Sequence, residues 1–132
     1  MADAEGFHLA VVGAHLAGMP LHRDLVERGA ELVARTTTSP DYRLHALVGT
    51  VPPKPGLERV AAGGSAIEVE VYRLPYAEVG SFLATVHRPL GIGELTLVDG
   101  STVHGFICEP AGLVGAEDVT RYGGWRGYVA DR

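Results

Sequence analysis

At 132 residues the chain suits a single domain with one hydrophobic core, and a content of 46% hydrophobic and 20% charged residues excludes a disordered segment. The formal net charge of −5, with acids and bases interspersed, argues against nucleic acid as a partner, and no run of about 18 apolar residues offers a membrane span. Met1-Ala2-Asp3-Ala4-Glu5-Gly6 has neither the basic start nor the apolar core of a secretion signal, and Cys108, the one cysteine, leaves no internal disulfide, which fits a cytoplasmic setting.

Eighteen glycines point to many tight turns between short strands. Residues 1–7 are expected to form a flexible tail ahead of one domain, 8–132. The apolar run Phe7 to Val12, closed by Gly13, reads as a buried strand. Pro20 suits the first position of a helix with Leu21, Leu25 and Val26 on one stripe, and Gly29 can end it in a left-handed conformation. Glu31 to Ala34 reads as a short strand before a polar turn. Tyr42 to Val48 has a period close to two, with Tyr42, Leu44, Ala46 and Val48 on one side.

Pro52-Pro53-Lys54-Pro55-Gly56 predicts a rigid connector outside regular structure, because proline fixes φ and removes a donor. Leu57 to Val60 and Ile67 to Tyr72 flank Gly63-Gly64 and are expected to pair as a hairpin. Pro75 opens a second helix, with Val79, Phe82, Leu83 and Val86 on one face. Asp99-Gly100 predicts a hairpin between Leu95 to Val98 and Val103 to Ile107. The aromatic, glycine-rich stretch from Tyr122 to Val129 is expected to be a loop feeding a last strand. Together these elements predict an α+β domain: a mixed, mostly antiparallel sheet closing toward a barrel, with two main helices.

The chemistry concentrates after the first strand. A strand–turn–helix passage directs backbone N–H groups and a helix N-terminus at one point, which favours an anion, and Gly13 and Gly18 permit close approach. The glycine spacing matches neither a dinucleotide fingerprint nor a phosphate loop, and no acid for a ribose follows about 20 residues on. On spacing alone the turn either binds a small carboxylate or is an ordinary connection.

Several segments carry a resemblance to the C-terminal domain of allophanate hydrolases: Val11-Val12-Gly13-Ala14-His15-Leu16-Ala17-Gly18-Met19-Pro20-Leu21, Ser39 to Leu44, Lys54 to Leu57, Glu70-Val71-Tyr72, Pro89 to Gly93, Gly105 to Glu109 and Tyr122 to Arg126. They run in the same order over residues 8–130. That domain is similar in turn to the γ-glutamyl cyclotransferase-like fold, whose glycine loop holds a substrate carboxylate. In the two-domain enzymes an amidase domain releases ammonia from allophanate, and the C-terminal domain decarboxylates the product, N-carboxycarbamate. The resemblance implies that His15 is the acid/base residue. The Ser–Ser–Lys amidase triad is missing from this sequence, so hydrolysis of allophanate by this chain alone is not expected. Pro89-Leu90-Gly91-Ile92-Gly93 stands where true γ-glutamyl cyclotransferases carry an acid, which argues against that activity.

Among individual residues, His15 titrates near neutrality and either moves a proton or simply bonds a carbonyl. A protonated His15 beside the substrate nitrogen would assist departure of CO2. Gly13, Ala14, Leu16 and Gly18 form the expected carboxylate cradle. Arg43 and Lys54 are candidates for a second carboxylate, or else surface charges, and Tyr42 is a further substrate-binding candidate. Glu70 either orients the ligand or is exposed, exposure being favoured because a buried carboxylate is costly unless paired. Gly91, Ile92 and Gly93, with Gly124 and Trp125, either line the pocket or make tight turns and packing. Cys108 reads as a small buried hydrophobe. The other histidines lack ligand spacing, so no metal is expected, and no cofactor.

The resulting expectation is a pocket for a small di-acid such as N-carboxycarbamate, or malonate as a mimic, in a decarboxylase of urea and allophanate degradation. The alternatives are a non-catalytic module serving a separate amidase and a γ-glutamyl cyclotransferase-like enzyme. The sequence leaves oligomeric state open, a homodimer included.

Overall fold

The computed structural model describes residues 6–132. Eight strands, β1 (Gly6–Val11), β2 (Glu31–Thr37), β3 (Tyr42–Ala46), β4 (Pro55–Arg59), β5 (Glu68–Pro75), β6 (Leu90–Thr96), β7 (Thr102–Cys108) and β8 (Glu117–Asp118), alternate with three helices, α1 (Arg23–Val26), α2 (Tyr76–Leu83) and α3 (Trp125–Asp131). Strands form a five-stranded sheet in the order β2-β5-β1-β7-β6 and a three-stranded one, β4-β3-β8. Only β1 and β7 run parallel, so the sheet is mixed and mostly antiparallel as expected. The edge strands β2 and β6 meet at their ends, where Thr38 bridges Leu97, Ser39 N–H donates to Thr96 C=O and Val98 N–H donates to Thr37 C=O.

Strand β5 lies inside the larger sheet, between β2 and β1, and is covered on both faces. Val69 and Val71 enter the core with Leu9, Val11 and Leu95, while Leu44 and Leu57 from the smaller sheet and Val119, just after β8, join the same cluster. Asp99-Gly100 makes the expected hairpin turn between β6 and β7, with Gly100 at φ +87°, and Gly29 ends the α1 region at φ +75°.

Several expectations are corrected. Gly6 and Phe7 belong to β1 rather than to a tail, and residues 1–5 of that tail lie outside the described residues. The first helix begins at Arg23, not Pro20, because residues 13–22 are spent on successive turns (Leu16 N–H to Gly13, Met19 to Leu16, Leu21 to Ala14). It buries Leu25 but leaves Val26 exposed. Strand β2 runs on through Thr37, since threonine is at home on a pleated surface. The proline-rich connector ends at Lys54: Pro55 opens β4, the strand position that tolerates proline. Strand β4 pairs with β3 and not β5, so no 57–72 hairpin forms. Val48 falls beyond β3 and is exposed. Gly91 and Gly93 lie within β6, and the C-terminal aromatic stretch forms α3, a third helix rather than a strand. Cys108, at the end of β7, is half-buried.

Candidate active site

A cavity of about 40 Å³ opens between the turn after β1, the start of β4 and the segment after α2. Gly13, Ala14 and His15 form one wall, Lys54 and Pro55 a second, and Val86, Leu90 and Phe106 an apolar third. The close approach of the first two walls requires glycine at position 13, because a Cβ there would collide with the Pro55 ring.

Within the turn the backbone donors divide into two sets. Leu16 N–H donates to Gly13 C=O (3.0 Å), Leu21 N–H to Ala14 C=O (2.8 Å) and Ala17 N–H to the Glu70 carboxylate (2.9 Å). The N–H groups of Gly13, Ala14 and His15 donate to no acceptor among the described residues. Three consecutive residues that line the cavity thus keep backbone donors unspent within the protein.

His15 is 8% exposed. Its ring stacks on Phe106 at 4.9 Å between centroids and meets the edge of Phe82 at 5.4 Å. Its nitrogens find no hydrogen-bond partner among the described residues and retain access to the cavity. Removal from water lowers its proton affinity, with the Lys54 and His22 charges acting the same way and Asp24 opposing, to a pKa of about 4. The ring in the free protein is therefore neutral at pH 7, whereas the sequence suggested a protonated one. The His15 carbonyl accepts a bond from His22 Nδ1 at 3.0 Å, which fixes the protonated nitrogen of His22 because a carbonyl only accepts. Lys54 is half-buried, and no carboxylate lies within ion-pair distance of its ammonium among the described residues.

The fold thus gathers Gly13, Ala14, His15 and Lys54 around one cavity, and the other sequence candidates lie elsewhere. Leu16 is core, and Gly18 makes a turn at φ +86°. Tyr42 is buried and its hydroxyl accepts from Thr96 N–H. Arg43 pairs with Asp118 on the smaller sheet and bonds Gly63 C=O. Gly91, Ile92 and Gly93 pair along β7. Gly124 precedes α3, where a Cβ would press on Glu68 at 2.7 Å, and Trp125 packs on Tyr128.

Glu70 departs furthest from expectation, being wholly buried instead of exposed. Oε1 accepts from Ala17 N–H and the Tyr72 hydroxyl, each at 2.9 Å; Oε2 accepts from Arg126 at 2.8 Å and Arg35 at 3.2 Å. Burial would push its pKa up, but four donors outweigh that and hold it at about 2. Asp24, Thr85 and His87 line the cavity without having been singled out in the sequence. Asp24 sits beyond any glycine signal, and His87 lies one helix away in sequence.

The fold and site together define an α+β domain of the γ-glutamyl cyclotransferase-like type, with a small cavity whose rim is a strand–turn backbone. An AIG2-like protein of Mus musculus shares this fold with a TM-score of 0.61 at 18% identity, covering 81% of this chain and 78% of that one. Residues 7–130 match the model of the allophanate hydrolase C-terminal domain, and the chain belongs to that family. Urea amidolyase of Saccharomyces cerevisiae is 48% identical over 124 residues, 91% of this chain but 7% of that protein. The Kluyveromyces lactis allophanate hydrolase structure superposes with a TM-score of 0.93 at 46% identity, covering 96% of this chain and 21% of that one. A uropathogenic E. coli-specific protein matches with a TM-score of 0.87 at 32% identity, over 94% of this chain and 95% of its own. The chain thus spans a small fraction of the curated relatives it matches.

Proposed function

We propose that this domain binds a small di-acid carrying a central N–H, of which N-carboxycarbamate is the example its family suggests, and decarboxylates it with His15 as proton donor. The observation that carries the reading is the set of unspent N–H groups at Gly13, Ala14 and His15, in the same cavity as the His15 ring and the Lys54 ammonium. One carboxylate rests on these donors and Lys54; the other lies toward Val86, Leu90 and Phe106, where loss of its charge as neutral CO2 is favoured.

Entry of a dianion beside a neutral imidazole raises its proton affinity, so His15 takes up a proton on binding. The C–N bond to the departing carboxylate then breaks, its electron pair passes to nitrogen, and nitrogen receives the His15 proton. Carbamate and CO2 are the products, and the ring, left neutral, draws its next proton from solvent when another dianion binds. The substrate would come from an amidase, on the same or a separate polypeptide, in a cytoplasmic setting that suits the lone thiol.

The test supplies allophanate and an amidase and follows CO2 release. The wild-type domain should accelerate it above the amidase background and His15→Asn should not. Malonate binding by the wild type without any acceleration would establish the accessory-module reading in its place.

A further inference from the structure

The buried Glu70 carboxylate touches no cavity wall, yet it is tied to the turn that forms one. Ala17 is held through both of its backbone polar groups, which belong to successive peptides: its N–H donates to Glu70 Oε1 (2.9 Å), and its C=O accepts from Arg126 Nη2 (2.8 Å), which also donates to Glu70 Oε2 (2.8 Å). Arg126 reaches this point from α3 at the far end of the sequence, and its other nitrogen Nη1 lies 3.4 Å from Glu68. Arg35 from β2 and Tyr72 from β5 occupy the remaining lone pairs of Glu70. The Tyr72 ring also lies 5.5 Å from that of His22, which holds the His15 carbonyl.

We infer that Glu70 and Arg126 are positioning residues for the anion cradle: by clamping the two peptides that flank Ala17 they keep the turn in the conformation that leaves the Gly13, Ala14 and His15 donors unspent. The inference rests on the proposed carboxylate-binding reading. Without the clamp, the Ala17 N–H and C=O would be free to take other partners within the turn and so to reorder its hydrogen bonds. With one charge-assisted bond on each of the two peptides flanking Ala17, neither can rotate without breaking a bond of the stronger kind in a protein interior. Glu70 is the hub because a carboxylate alone can accept from four donors converging from β2, β5, α3 and the turn.

The sign of one substitution separates positioning from simple electrostatics. Glu70→Gln removes a negative charge near an anion site and leaves Arg35 and Arg126 uncompensated. Electrostatics alone predicts tighter malonate binding. Positioning predicts weaker binding, by about tenfold or more, because the Gln amide cannot accept from both guanidinium groups. Arg126→Lys, at a position with a 31% exposed side chain, keeps the charge but not the fork, and it should also weaken binding by about tenfold.

Calorimetric titration of malonate into the intact chain is read alongside amide hydrogen exchange at Leu16, Ala17 and Gly18. The expected result is faster exchange at Ala17 with weaker binding in both variants. Unchanged or tighter binding in Glu70→Gln overturns the inference, and if that variant does not fold, unchanged binding and exchange in Arg126→Lys does so. Absence of malonate binding by the wild type would overturn the carboxylate-binding reading itself, a distinguishable failure.

Discussion

An imidazole stripped of most of its water binds a proton less readily than one in solution, and His15 is such a group, lowered from 6.5 to about 4. Between those values the unfolded chain binds a proton that the folded chain does not. The stability this neutral ring contributes is thus fully present above pH 6.5 and is lost as pH falls toward 4. Between pH 7 and pH 5 the loss amounts to roughly 2 kcal/mol. Urea unfolding of wild type and His15→Asn at both pH values should show the wild type losing that much more than the variant. Equal losses would mean the ring keeps its water and titrates normally. Glu70 does not obscure the comparison: it is held at about 2, so its stabilising effect is fully present above about 4.5 and fades only as pH falls toward 2. The same neutral ring makes ligand binding proton-coupled, since a di-acid that charges His15 must draw a proton from solvent.

At the scale of elements, the turn after β1 depends on its contact with β4. Replacing Gly13 by Ala drives a Cβ into the Pro55 ring, a rigid neighbour that cannot give by rotating. The β4 start must then move outward, taking Lys54 with it. Gly13→Ala is expected to cost about 1–3 kcal/mol of stability and to weaken malonate binding, read from the urea midpoint and a calorimetric titration. Full retention of both would show that the two walls are not in contact as described. The importance of this turn was legible in the sequence because an apolar strand closed by glycine announces a tight exit. The hairpin at Asp99-Gly100 was legible for the same local reason. What escaped were relations between distant segments. Alternation along Glu68 to Tyr72 correctly separates two faces but does not say that the Glu70 face is covered. It is covered by Ala17 and Arg126, 53 and 56 residues away. Glycines within Gly91 to Gly93 imitate a loop, although Gly93 serves the close packing of Ile107 across the β6–β7 ladder. The glycine pair before Trp125 hid a helix start in the same way: Gly123 turns the chain at φ +77°, and Gly124 admits the Glu68 side chain.

For the whole molecule, the decisive fact is that two sheets share one core while the cavity lies where they meet. Leu44 and Leu57 of the smaller sheet cluster with Leu9, Val11 and Val69 of the larger, and the cavity joins the turn after β1 in the larger sheet to Lys54 and Pro55 at the edge of the smaller. A ligand held across that junction binds the folded state alone, so it stabilises both sheets by mass action. At one hundred times its dissociation constant, malonate should add about 2.7 kcal/mol, equivalent to a rise in Tm on the order of 10 °C for a domain of this size. Trp125, the one tryptophan, is buried away from the cavity against Tyr128, so its fluorescence reports on a region the ligand does not touch. Backbone circular dichroism reports on both sheets. If the core is continuous, the two signals unfold at one temperature and move together when malonate is added. Were the sheets separate cooperative units, the dichroism would melt in two steps and malonate would shift only one of them. The shared apolar cluster makes the single, jointly shifted transition the expected outcome.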